Sequence, residues 1–276
     1  MNGPKKEAFN PLFTNPLEAV SGMTVSDLNR YLPAVRQENE IKMTRNQMEE
    51  GLFLADGIKG LAKLPDNTID LIVTNPPESP WKEASEKNPP LTLQEYYQWN
   101  EKWLEQSFRV LKPTGSIYLI CGWRYSGMYH ALLSNNFNIQ SRITWRNNQA
   151  KDQPRLVIWR NVLSDIWFAT KTNEFMFDQK KVSSLKEAQQ KQELNNFWAD
   201  IFDIQIGAKN QFERGKPGEV LKRIFTVSSF KLNWVVDPFM GRGSVGIMAK
   251  KTGRRFIGFE TDQDQLLMAM KRIDQT

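Results

Sequence analysis

The chain has 276 residues, of which 40% are hydrophobic and 25% charged, a globular composition that argues against general disorder. A single cysteine, Cys121, and a single histidine, His130, exclude a disulfide framework, a multi-cysteine zinc site and any His-pair metal site. Lys and Arg outnumber the acids 37 to 31, for a net charge of +6 that permits a polyanionic partner, and no apolar run approaches the roughly 20 residues of a membrane span, so a cytoplasmic protein is expected.

Residues 1–50 read as an N-terminal extension, broken by Pro4, Pro11, Pro16 and Pro33, with one short helix at Val25–Tyr31. From Gly51 the texture changes. An apolar run at Leu52–Ala55, a helical pattern through Leu61–Leu64 and a β-branched strand at Ile69–Thr74 lead to Asn75-Pro76-Pro77. Glu95–Leu111 has helical spacing, Ser116–Cys121 is a strand and Tyr129–Ser134 a helix; strands follow at Ile139–Trp145 and Ile166–Thr170. Lys171–Leu194 is polar and lysine-rich, an insertion rather than core. The α/β alternation resumes with a helix at Gly218–Phe230, a strand at Trp234–Asp237, a helix at Val245–Thr252, a strand at Phe256–Glu260 and a helix at Gln263–Ile273. The expected fold is α/β, a Rossmann-like, mostly parallel sheet with helices on both faces.

The sharpest local signal is Val235-Val236-Asp237-Pro238-Phe239-Met240-Gly241-Arg242-Gly243-Ser244, a buried strand entering a glycine turn and then a helix. Glycines there let the backbone approach a ligand at the carboxyl end of a strand. Glu260 ends the next strand, 19 positions after Gly241, where an acid can accept from both hydroxyls of a ribose. Gly241, Gly243 and Gly246 also fit a dinucleotide fingerprint. A carboxylate at Asp237 repels a pyrophosphate, however, and suits a cofactor with an ammonium and a sulfonium, which favours S-adenosylmethionine over NAD.

At Thr74-Asn75-Pro76-Pro77 two prolines stiffen the loop and remove backbone donors. The Asn75 side-chain carbonyl and the Pro76 carbonyl then form a pair of acceptors for an exocyclic NH2, favouring its lone pair turning toward a methyl donor.

With both loops in place, the chain resembles the amino-methylating DNA methyltransferases that modify adenine N6 or cytosine N4. Their hallmarks are Asp/Asn/Ser-Pro-Pro-aromatic and Asp-Pro-Phe-x-Gly-x-Gly, and the Pro-Pro loop preceding the glycine loop is similar to the circularly permuted, β-type group. Leu54-Ala55-Asp56-Gly57, Phe108-Arg109-Val110-Leu111-Lys112-Pro113-Thr114-Gly115, Ile143-Thr144-Trp145 and Gly215-Lys216-Pro217 extend the likeness over Gly51–Ile273. The resemblance implies catalytic roles for Asn75, Pro76 and Pro77. It implies a cofactor site in which Asp56 meets the adenine amino group, Asp237 the methionyl end and Glu260 the ribose. Phe239, Gly241, Gly243 and Ser244 would line this pocket, and Lys216 would open the helix behind the methionine carboxylate. It implies no metal. Residues 51–170 would be the catalytic half, 171–209 the target-recognition insertion and 210–276 the cofactor half. The partner implied is double-stranded DNA with a short site, in a bacterial or phage-type setting, with a homodimer or a cognate restriction enzyme left open.

Two departures stand out. Glu78 occupies the position where the family places an aromatic that stacks on the flipped base, and Trp81, with Trp123 or Tyr125 as alternatives, is expected to replace it. Arg242-Gly243-Ser244 stands where Ser/Thr-Gly-Thr is usual. Asn75 favours adenine, with cytosine N4 as the alternative; a catalytically silent DNA-binding subunit is the reading that Glu78 raises. Arg142, Arg146, Lys151, Arg155 and Arg160, with Trp145 and Trp159, are expected to grip phosphates.

Overall fold

The computed structural model describes residues 22–77, 91–146, 163–182, 195–198 and 218–276. Its strands are β1 (Arg36–Gln37), β2 (Gly51–Leu54), β3 (Ile69–Thr74), β4 (Leu111–Gly122), β5 (Asn138–Arg146), β6 (Leu163–Thr170), β7 (Phe197–Trp198), β8 (Trp234–Asp237) and β9 (Arg255–Glu260). They form one sheet in the order β1-β2-β9-β8-β3-β4-β6-β5-β7. All neighbouring pairs from β1 to β4 run parallel, and β6 is antiparallel to both β4 and β5.

The central strands are apolar on both faces because both faces are covered. On one side, α2 (Gly57–Ala62), α3 (Leu93–Val110) and α4 (Trp123–Ser134) bring Leu61, Trp103, Leu104 and Leu133 onto Ile117, Leu119, Val236 and Phe259. On the other, α5 (Gly218–Ser228), α6 (Ser244–Lys251) and α7 (Gln263–Asp274) press Ile224, Phe225, Val245 and Leu266 against Tyr118, Ile120, Val235 and Phe256. The mostly parallel Rossmann-like architecture is therefore as expected. No helix among the described residues is long and apolar enough to cross a membrane.

Strand β6 begins at Leu163 rather than Ile166, α2 spans Gly57–Ala62 rather than running through Leu61–Leu64, and three further elements differ from the sequence reading. The strand after α3 starts at Leu111 rather than Ser116: Leu111 pairs with Ile69, and the register then shifts so that Ser116 meets Leu71. Lys112–Gly115 thus interrupts the ladder without ending it. Helix α4 begins at Trp123, a full turn and a half before Tyr129, since its first turn carries polar and glycine residues that hide the apolar period. Within the expected extension, β1 pairs with β2 and α1 (Val25–Tyr31) packs through Tyr31 beside Leu267 of α7, where Tyr31 also donates to Asp274 at 2.9 Å.

Arg109 has a structural job. It donates to the carbonyls of Leu61 (2.8 Å) and Leu64 (2.9 Å) and pairs with Asp66, satisfying the end of α2. Cys121 is buried in β4, and His130 is an exposed residue of α4 lying 5.0 Å from the Trp167 ring.

Candidate active site

The carboxyl ends of β3 and β8 lie side by side, with Ile72 opposite Val236. From β8 the chain passes through α6 to β9 on one side, and from β3 through α3 to β4 on the other. That divergence opens a crevice at the point where open α/β sheets bind ligands.

The β8 wall carries the acids. Asp237 is 3% exposed, and its Oδ1 accepts from Thr74 Oγ1 at 2.8 Å and from the Phe239 amide at 3.1 Å. Burial pushes its pKa up to about 7; the two hydrogen bonds work against that rise, and the nearby charge of Glu260 adds to it. Glu260 is held by backbone amides, taking Gly241 N at 2.9 Å on Oε2 and Thr261 N (2.8 Å) and Asp262 N (2.9 Å) on Oε1. Its pKa is also raised by burial, against the pull of those amides. Asp56 caps α2 through Oδ1, which accepts from Ile58 N (3.0 Å) and Lys59 N (3.1 Å), leaving Oδ2 for a ligand.

The glycine turn between these acids has left-handed backbone at Gly241 (φ +50°) and Gly243 (φ +77°). A Cβ at Gly241 would meet nothing within 4 Å, so open space lies over the turn. A Cβ at Gly243 would press on Ala269 and Ile273 of α7, so this glycine serves helix packing. Ser244 opens α6. Phe239 turns away from the sheet to pack on Trp99 (centroids 5.1 Å) and edge-on to Trp103 (5.4 Å) of α3. Gly57 lies beneath: a Cβ there would strike the Pro238 carbonyl, so only glycine lets α2 come this close to the turn. The spacing of Asp56 and Gly57 hints at this only as a cap followed by a small residue.

The β3 wall is the Asn75-Pro76-Pro77 loop. Pro76 is buried, and the Oδ1 of Asn75 is buried with no hydrogen-bond partner. Buried side-chain carbonyls are normally satisfied, so an orphan acceptor at the head of the crevice points to a donor brought by a substrate. Tyr96 of α3 donates its hydroxyl to the Pro77 carbonyl. Neither Tyr96 nor Thr74 stood out in the sequence, because a buried tyrosine in a helix and a threonine ending a strand look like ordinary core.

Asn75, Pro76, Pro77, Asp56, Asp237, Phe239, Gly241, Gly243, Ser244 and Glu260 thus gather at one end of the sheet. Trp81, Glu78 and Lys216 lie outside the described residues. So do Lys151, Arg155, Trp159, Arg160 and the side chain of Arg146. Arg142, expected on phosphates, pairs with buried Asp165 at 2.9 Å while its side chain stays half exposed, and Trp145 is buried. The start of the expected recognition insertion also lies elsewhere. Lys171 donates to the carbonyl of Leu111 (2.7 Å) and to Asn67 (2.8 Å), and Met176 N bonds Thr114 O, at the amino ends of the parallel strands, away from the crevice. Later in that stretch, β7 pairs with Thr144 and Trp145 near the carboxyl end of β5, on the crevice side.

Three carboxylates around an open glycine turn form a place for a cation. A pyrophosphate placed there would face the like charge of these acids. The N6/N4 methyltransferase family profile, described as DNA methylase, matches residues 69–271, nearly three quarters of the chain. The Type II methyltransferase M.HpaI of Haemophilus parainfluenzae is 29% identical over 242 residues, covering 82% of this chain and 75% of that protein. Among solved structures, the PvuII DNA methyltransferase (cytosine-N4-specific) has a TM-score of 0.66 at 19% identity, covering 82% of this chain and 86% of that one. The M1.HpyAVI–SAM complex has a TM-score of 0.56 at 20% identity, covering 81% and 98%. These two structures share the fold. Because the family match runs from β3 into α7, and so takes in both walls of the crevice, the chain belongs to the N6/N4 family of DNA methylases.

Proposed function

We propose that the acceptor of this DNA methylase is the N6 amine of an adenine turned out of a double-stranded site, with S-adenosylmethionine as methyl donor. The observation that carries the amine reading is the buried, unpartnered Oδ1 of Asn75 at the mouth of the crevice, and the choice of adenine over cytosine rests on an asparagine rather than a serine heading the Pro-Pro loop. That Oδ1 accepts one hydrogen of the exocyclic amine, the Pro76 carbonyl accepts the other, and the nitrogen lone pair is left facing the glycine turn. No strong base is required, since the proton leaves after the nitrogen has become cationic.

The cofactor supplies an electrophilic methyl group on a sulfonium. The residues present fit it: Asp237 would meet its methionyl end, Glu260 its ribose hydroxyls and Asp56 Oδ2 its adenine amine, and the open space over Gly241 would admit it to the backbone. Ser244, at the head of α6, and Lys216 complete the assignment. Trp81 is our choice for the stack on the target base in place of the aromatic absent at Glu78. Within the insertion 171–209 we assign target recognition to its β7 end, because Phe197 and Trp198 lie on the crevice side whereas 171–178 pack at the other end.

The test is to incubate the protein with methyl-labelled S-adenosylmethionine and unmethylated mixed-sequence DNA, then separate the nucleosides. Label in N6-methyldeoxyadenosine is expected. Label in N4-methyldeoxycytidine would overturn the choice of base while keeping the chemistry, and no label in either would overturn the reading.

A further inference from the structure

We propose that Tyr96 is a positioning residue for methyl transfer: its phenol holds the Pro77 carbonyl, and through it the Asn75–Pro76 pair of acceptors, in the geometry that receives the amine. The proposal rests on the reading of Asn75 given above and names what aims it.

A loop with two consecutive prolines has lost the two backbone N–H groups that would anchor it. It can be fixed from outside only through its carbonyls. The Pro76 carbonyl is needed for the substrate, so the next carbonyl must take the anchor, and the Tyr96 hydroxyl supplies it. Because the ring fixes φ of Pro77, holding the Pro77 carbonyl restrains the whole residue and with it ψ of Pro76, the torsion that aims the Pro76 carbonyl.

The anchor is itself rigid. The Tyr96 hydroxyl lies 3.1 Å from that of Tyr129 on α4, and Tyr129 lies 3.1 Å from Asn100 Oδ1. Asn100 is locked by its own bonds, donating to the Tyr96 carbonyl at 2.8 Å and accepting from Trp103 Nε1 at 2.8 Å. The Tyr96 proton goes to the Pro77 carbonyl and the Tyr129 proton to Asn100 Oδ1, so the two hydroxyls are held side by side by acceptors on either side of the pair. The ring is stacked on Trp99 (6.0 Å, 13°) and meets Tyr125 edge-on at 5.5 Å. Burial raises the phenol pKa, so it remains a donor across the working pH range. Trp99 also touches Phe239, so one cluster of rings braces the acceptor loop and the cofactor turn together.

Tyr96→Phe keeps the ring and its packing and removes only the hydroxyl. We expect kcat to fall about 10- to 100-fold, the effect of a small misplacement of reacting groups, with KM for DNA and the dissociation constant of S-adenosylmethionine within about twofold of wild type. Tyr129→Phe, which leaves the Pro77 bond in place, should lower kcat less, and the double variant should be no slower than Tyr96→Phe alone. Hydrogen exchange at the Asn75 amide, the one backbone N–H of Asn75–Pro77, follows loop order without any methyl transfer and should quicken in Tyr96→Phe. Unchanged kcat with unchanged exchange would overturn the proposal, as would parallel losses of kcat, cofactor affinity and melting temperature, which mark a core defect. If the wild type methylates no base yet exchange still quickens, the loop anchor stands and the assigned reaction fails.

Discussion

At the residue scale, the buried Asn75 carbonyl and the buried Asp237 carboxyl each sit in an environment that disfavours them in the free protein. Removing an unsatisfied buried acceptor relieves a desolvation penalty of about 1–3 kcal/mol. Asn75→Ala is therefore expected to lower kcat by about 10²–10³-fold, by analogy with the loss of one oriented hydrogen-bonding group, while the melting temperature stays level or rises by about 2 °C. A calorimetric scan beside a methylation assay checks both halves. For Asp237 the pH dependence follows from a pKa pushed up to about 7, against about 3.9 for an unfolded Asp. Between these values the folded form holds a proton that the unfolded form has released, so this group makes the ligand-free protein less stable as pH rises from 4 to 7, with no further change above. A cationic cofactor prefers the carboxylate, so its dissociation constant should fall up to tenfold per pH unit as pH climbs toward 7, with a proton released on binding. Titration calorimetry in two buffers of different ionisation enthalpy measures that proton, and Asp237→Asn should abolish both the release and the pH slope.

At the scale of elements, the turn from β8 into α6 separates two glycines that look alike in the sequence. Gly243 combines φ +77° with contacts that would put a Cβ 2.9 Å from Ala269 Cβ. Gly243→Ala should destabilise the fold by about 1–3 kcal/mol, from left-handed strain and overpacking. Gly241→Ala faces open space and should cost the fold only about 1 kcal/mol, with its larger effect on cofactor affinity. Denaturant melts paired with cofactor titrations distinguish the two. Most elements were legible because apolar runs and caps are local: β3, β8 and α1 have the bounds that their patterns imply. The first turn of α4 and the two-residue β1 were not, since Trp123–Ser126 has no helical apolar period and Arg36–Gln37 becomes a strand only by pairing with β2. Lys171 misled for a related reason: a lysine in a polar run looks solvated, but three acceptors, one the Leu111 carbonyl, hold it against the domain.

At the scale of the molecule, the sheet order joins loops that lie far apart in the chain. Thr74 and Asp237 are separated by 163 positions, yet one hydrogen bond of 2.8 Å ties the strand that presents the acceptor to the strand that presents the cofactor acid. The residue types of the site were readable because Asn-Pro-Pro and Asp-Pro-Phe-x-Gly-x-Gly are contiguous. The couplings between them were not, because Thr74 to Asp237, Tyr96 to Pro77 and Gly57 to Pro238 exist only once β3 lies between β8 and β4 and the helices have packed. Arg142 shows the converse: its charge suggested DNA, and the partner that claims it, Asp165, enters from a neighbouring strand.

The orphan carbonyl at position 75 also has an evolutionary reading. A side chain that the fold would tolerate better as an apolar one persists only while its chemistry is selected. In a lineage released from methylation, drift at this position runs downhill in free energy, so whether an acceptor survives there records whether the reaction still matters to the cell.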